Sequence, residues 1–248
     1  MIHRNTLAMK TTLALLSLGL STTLNTVSAE CVKGVGEVVK KSLPVEAFHG
    51  ISLEGSMDVV LTQGATRSVE VEAQANLIEL LETKVVNGVW EITVKDGYST
   101  DKTFTVHITA PVIDQVQVDG SGDVSSNGTF TSEKMELAVA GSGNITIAFN
   151  CKKADVDIAG SGDMVLSGTC DKLNIGVAGS GDVDARQLKT ADAVVDIAGS
   201  GDVVLDASQS LEASIAGSGD VSYRGTPARI SRNVMGSGEV RSLERGPR

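Results

Sequence analysis

Aromatic side chains are scarce: Phe, Tyr and Trp make up 3% of the 248 residues. A core built around a few large rings is excluded, so stability must come from many small aliphatic contacts. Basic charge is also short. Lys and Arg number 21 against 31 Asp and Glu, a net charge of −10. Such a surface repels nucleic acid and anionic lipid and favours solubility. Histidine is nearly absent. Beyond residue 29 only His49 and His107 remain, 58 residues apart, with no metal-ligand spacing and no evident nucleophile beside them. No segment reaches the length of a membrane-spanning helix.

The one apolar run, Thr11 to Leu20, is about half the length a bilayer needs. Arg4 and Lys10 precede it, and Val27-Ser28-Ala29 supplies small residues before Glu30. This is the pattern of a secretory signal peptide over residues 1–29. The leader carries no acid, so the mature chain holds 19 basic and 31 acidic residues, a balance of −12. The expected location is the periplasm, the cell surface or the outside of the cell. Cys31 is preceded by Glu30, where a lipid-acylation motif needs a small residue, so acylation is not expected.

Gly-Ser-Gly followed by an acid or amide recurs seven times, starting at Gly120, Gly141, Gly160, Gly179, Gly199, Gly217 and Gly236. Spacings of 18 to 21 residues mark a solenoid, in which each unit buries its apolar face only by stacking on the next. Two residues before each first glycine stand Val118, Val139, Ile158, Val177, Ile197, Ile215 and Val234. Four residues after it stand Val124, Ile145, Met164, Val183, Val203, Val221 and Val240. Four before it the column is apolar until Arg232 breaks it. Alternating apolar positions on both sides of a glycine turn predict two short strands with one face inward. No six-residue subperiod is present, which disfavours a left-handed helix of hexapeptides. The expectation is an all-β fold, a right-handed parallel β-helix of ~19-residue coils over 116–243. Residues 30–115 are expected to form a β-rich cap continuous with it, and 244–248 a frayed tail. Within the cap, Asn87-Gly88 predicts a type I′ hairpin, and 76–81 a single helical turn. Gly55-Ser56-Met57-Asp58 reads as a degenerate repeat.

Cys151 and Cys170 each lie ten residues after a first glycine, the same place on successive units. Parallel strands stack about 4.8 Å apart, within disulfide range, so an oxidising compartment predicts a Cys151–Cys170 bridge.

Several runs add up to a specific pattern: Phe48-His49-Gly50-Ile51, Asp58 to Gly64, Val86-Asn87-Gly88-Val89-Trp90-Glu91-Ile92, the Gly-Ser-Gly-Asp ladder, and Tyr223-Arg224-Gly225-Thr226-Pro227. From about Val45 to Leu243 the chain resembles the auto-transporter adhesin, head GIN domain family of exported bacterial proteins. The resemblance implies a right-handed parallel β-helix and no particular activity. Many members of that family look like lipoproteins, from which this chain departs at Glu30.

The acids after each turn are Asp123, Asn144, Asp163, Asp182, Asp202, Asp220 and Glu239. Such a column has two readings. Asp and Asn side chains cap turn amides. Alternatively, a row of oxygen ligands makes weak calcium sites. Enzymes on parallel β-helices supply a third class, since polysaccharide lyases and hydrolases use acids with Arg or Lys on one face. Candidates would be Asp157 and Asp196 near Asp163 and Asp202, with Arg186 and Lys189 between. These acids repeat with the architecture, however, and no unit carries a singular cluster. A phosphate-loop reading fails for want of a following helix and Lys. The balance favours a noncatalytic binding or scaffold protein with no cofactor and no metal. Its partner would be an envelope or extracellular glycan or protein, with self-association left open.

Overall fold

The computed structural model describes residues 31–95 and 97–243, so the expected leader and tail lie outside the described residues. It is a parallel β-helix of about seven turns with ~19-residue coils. Val139 pairs with Ile158, Ile158 with Val177, and Val177 with Ile197, all in parallel register. The same residues are buried, as are Val183, Val203 and Val221 after the turn, so the core is a narrow aliphatic cylinder. β-Branched side chains suit this stacking because their stiff rotamers pack on a pleated surface.

The central coils differ from the expected pairs of short strands. Ile145–Gly160, Met164–Gly179, Val183–Gly199 and Val203–Gly217 each run without interruption from one turn to the next. Register with the neighbouring coil holds on both sides of each bend, with small bulges such as that between Val165 and Ser167. Backbone pairing with neighbours therefore continues where side-chain patterning alone suggests a break.

Stacking in register begins at Gly50, not at 116. Gly50–Gly55 pairs in parallel with Gln115–Gly120, and Asp58–Gln63 with Val124–Thr131. The turn at 55–58 hides its kinship because Met57 stands where later turns have glycine. A Cβ at Gly181 would fall 2.1 Å from the Gly162 carbonyl oxygen of the turn before it. The turn at 55–58 is the first of its kind, so Met57 meets no such carbonyl and its side chain is buried instead.

Spatial order departs from chain order at this end. Val89–Ile92 and Thr105–Ala110 form the outermost coil, stacked beneath the coil at 50–63. Ser68–Gln74 then runs antiparallel to Thr105–Ala110, and Val38–Ser42 antiparallel to Ser68–Gln74. This antiparallel ladder closes the parallel stack. Its outer strand carries Lys40 and Lys41, charges that discourage edge pairing. Lys40 pairs with Glu70 at 3.7 Å and Glu72 at 3.3 Å. The hairpin at Asn87-Gly88 has φ of 52° and 81°, both positive as a type I′ turn requires. The helical turn spans Ala75–Ile78 and buries Leu77 and Ile78. Trp90 is wholly buried in this region, its indole N–H donating to the Glu82 carbonyl at 3.0 Å.

Arg232, which interrupts an inner column, has a role at the opposite end. Its guanidinium lies 5.9 Å from the Tyr223 ring centroid and donates to the phenolic oxygen at 3.1 Å. The last coil thus covers the cylinder with a cation over an aromatic face.

Candidate functional site

The turn acids form one continuous chain of hydrogen bonds to backbone. Asp123 Oδ1 accepts the amide of Asn144 at 3.0 Å, and Asn144 Oδ1 that of Asp163 at 2.8 Å. Asp163 accepts from Asp182, Asp182 from Asp202, Asp202 from Asp220, and Asp220 from Glu239, at 2.7–2.9 Å. Sequence reasoning missed the first member. Asp58 Oδ1 accepts the Asp123 amide at 3.2 Å, and its signal was the degenerate Gly55-Ser56-Met57-Asp58. Asn144 fits the column because an amide oxygen accepts as a carboxylate does, and its Nδ2 also donates to Asp123 Oδ1 at 2.9 Å. Glu239 stands last, and among the described residues its carboxylate receives no amide from a further coil. A longer acid is tolerable there because nothing depends on its reach.

The glycines make the turns stackable. Gly179 has φ of +136°, and a Cβ there would fall 2.2 Å from the Gly160 carbonyl oxygen. That carbonyl instead receives the amides of Ser180 at 2.8 Å and Gly181 at 3.2 Å. Each turn therefore commits its backbone to the turns beside it. The serine side chains between the glycines are exposed.

The acids considered for catalysis fall on different faces. Asp163 and Asp202 lie in the turn column, each already bonded to a neighbouring amide. Asp157 and Asp196 lie on the outer face of the preceding strands, separated by Gly176, which pairs with both. They flank a shallow trough of about 370 Å³ floored by Ala159, Ala178 and Ala198. The two intervening cations are engaged elsewhere: Arg186 with Asp184 at 2.7 Å and Lys189 with Asp206 at 2.7 Å. His49 contacts Asp114 at 2.6 Å, and His107 contacts Glu72 at 3.1 Å, on separate parts of the N-terminal region. On the same outer face Asp155 gathers Lys153 at 2.9 Å, Lys134 at 3.1 Å and the Asn174 amide at 2.8 Å. Burial pushes its carboxyl up, but those donors outweigh burial and hold it down at about 2.

Cys151 and Cys170 are register partners on adjacent coils, their sulfurs 3.3 Å apart. The expected bond is not formed in this structure, where Cys31, Cys151 and Cys170 are all free thiols. Cys151 donates its S–H to Cys170. That hydrogen bond lowers the Cys170 pKa against the opposing effect of burial, and raises that of Cys151, which burial raises further.

Three solved bacterial structures share this shape. A crystal structure from Bacteroides fragilis, described as a putative adhesin, superposes with a TM-score of 0.78 at 21% identity, covering 86% of this chain and 100% of that one. One from Parabacteroides distasonis, described as a putative lipid binding protein, gives 0.73 at 24% identity, covering 87% and 100%. A putative adhesin from Parabacteroides merdae gives 0.71 at 19%, covering 86% and 99%. At these identities the likeness is one of fold. No match was found among curated proteins. The family profile described as "Putative auto-transporter adhesin, head GIN domain" matches residues 47–227, and the chain belongs to that family.

Proposed function

We propose that the chain is an exported, noncatalytic binding module that presents the outer faces of its β-helix to an envelope or extracellular glycan or protein. The observation that carries this reading is how the repeated acids are used. From Asp58 to Asp220 each accepts the amide of the next coil, so the most regular chemistry in the sequence holds the scaffold together. The spacing that invited calcium or catalysis has an internal use, and the flat outer faces remain for contact. Family membership supports an adhesin-like role. Among the described residues no helix is long and apolar enough to cross a membrane. In the oxidising compartment this reading implies, the Cys151 and Cys170 sulfurs close into a bond between coils.

The test uses purified protein lacking residues 1–29, applied to a glycan array and to an envelope-protein pull-down. Saturable capture of a defined glycan or protein supports a binding module. Turnover of a polysaccharide, abolished in Asp163→Asn or Asp202→Asn, overturns the noncatalytic reading. Assembly into filaments with no other ligand bound replaces it with a structural role.

A further inference from the structure

We infer that a cleft between the first turn, 55–58, and the crossing segment 98–104 binds one neutral sugar residue of a glycan. The inference rests on the binding-module reading and gives it a place and a ligand class. The cleft encloses about 390 Å³ and is lined by Ser56, Asp58, Tyr98, Thr100, Lys102 and Thr103, among others. It exists because this turn is covered differently from every later one. Turns from 120 onward each lie on the turn of the coil before them, whereas the turn at 55–58 meets the crossing segment, through the Asp58 amide bonded to the Phe104 carbonyl at 3.0 Å. The cleft thus opens where the repeat has no preceding copy.

Its polar groups are only partly spent. Ser56 Oγ and Tyr98 Oη bond each other at 3.0 Å, which uses one of their two O–H groups and leaves the other to donate. Asp58 gives Oδ1 to the Asp123 amide and keeps Oδ2 as an acceptor. Lys102 Nζ reaches the Gly36 carbonyl and Glu37, both at 3.1 Å, and retains a third N–H. Thr100 is satisfied, donating to Gln74 at 2.7 Å and accepting the Lys102 amide at 3.0 Å, so it holds the segment in place. Tyr98 packs against Phe104 with ring centroids 5.0 Å apart, which fixes a half-buried ring as one wall. Burial raises the Tyr98 pKa beyond what the Ser56 hydrogen bond takes away, so the phenol stays a donor at neutral pH.

The lining selects by charge and polarity. An anion meets Asp58, and a cation meets Lys102. An acyl chain finds hydroxyls and charges in place of an apolar tunnel. A pyranose offers donors and acceptors together with a C–H face that packs on an aromatic ring, and it carries no charge. That combination matches one free hydroxyl proton, one free carboxylate oxygen, one free ammonium N–H and the Tyr98 phenol on one wall.

The experiment measures binding of glucose, galactose, mannose and N-acetylglucosamine, and of an array of glycans ending in them, to the chain lacking residues 1–29. Tyr98→Phe and Asp58→Asn are compared with the parent, with melting temperatures as the check on folding. Both substitutions keep shape, and Asn keeps the oxygen that caps Asp123. The expected result is saturable binding of at least one neutral sugar, weakened tenfold or more by each substitution at unchanged melting temperature. Binding that survives the double variant puts the sugar elsewhere, overturning the cleft while leaving the module intact. Capture of envelope proteins or charged glycans with no neutral sugar bound also overturns the cleft alone. Capture of nothing in any format overturns both.

Discussion

Cys151 and Cys170 permit a quantitative test of coil stacking. Register pairing puts their Cα atoms about 4.8 Å apart, and the sulfurs need to move only from 3.3 Å to about 2.05 Å. The reaction is thiol–disulfide exchange with a disulfide donor. One thiolate displaces a donor thiolate to give a mixed disulfide. The second sulfur then displaces the other, so two electrons and two protons leave with two donor thiols. The bond closes a loop across a separation of 19 residues. Loop-closure entropy puts its stabilisation at about 3 kcal/mol, or about 6–12 °C in melting temperature for a chain of this size. The assay compares thermal melts of exported protein with and without reductant, using the Cys151→Ser/Cys170→Ser double variant as reference. Peptide mapping without reduction should find a Cys151–Cys170 link and a free Cys31. Two alkylatable thiols at 151 and 170 in exported protein would refute the proposed oxidation. A mapped bond whose reduction leaves the melt unmoved would refute the energetics.

Gly179→Ala should cost more than about 2 kcal/mol in urea melts, because positive φ and a carbonyl 2.2 Å from the new Cβ act together. Ser180→Ala beside it, with an exposed side chain, should fall within about 0.5 kcal/mol of the parent. Asp182→Ala should lose about 1 kcal/mol by leaving the Asp202 amide without its acceptor, while Asp182→Asn should lose little, since Asn144 already serves in that column. Millimolar calcium should not shift the melt of either variant or of the parent. Asp155 has a folded pKa of about 2 against an ordinary 3.8. Its stabilisation is complete above 3.8 and drains away as pH falls through 2, amounting to about 1 kcal/mol after solvent screening. Asp155→Asn should remove that part of the acid dependence in melts from pH 5 to 2.

The solenoid was legible because its constraint repeats. Each inner position meets a copy of itself one coil away, so Val139, Ile158, Val177 and Ile197 are a class of residue before they are a place in space. The turn glycines announce themselves for the same reason, since any Cβ strikes the preceding turn. What the sequence concealed is whatever lacks a copy. The coil at 50–63 looked like part of a cap because Met57 faces no earlier turn. The crossing that places 89–92 and 105–110 beneath 50–63 leaves no periodic trace, for antiparallel pairing with 68–74 depends on long-range closure. The continuous strands through the coil bends were likewise invisible, because outward residues there follow no fixed rule.

The same logic separates scaffold from function. A side chain that must recur in every coil is selected by stacking, and the ladder acids show this by bonding to the amide of the next coil. Recognition of a partner needs a singular arrangement, which in a solenoid arises where repetition lapses. Two lapses stand out on this molecule. One is Gly176, whose missing side chain opens the trough between Asp157 and Asp196. The other is the first turn, where Met57, Asp58 and the crossing segment replace a stacked neighbour and gather Ser56, Tyr98 and Lys102 around one cavity. Only the second combines unspent donors, unspent acceptors and an aromatic wall, which is why the search for this protein's ligand belongs at the start of the ladder rather than along its length.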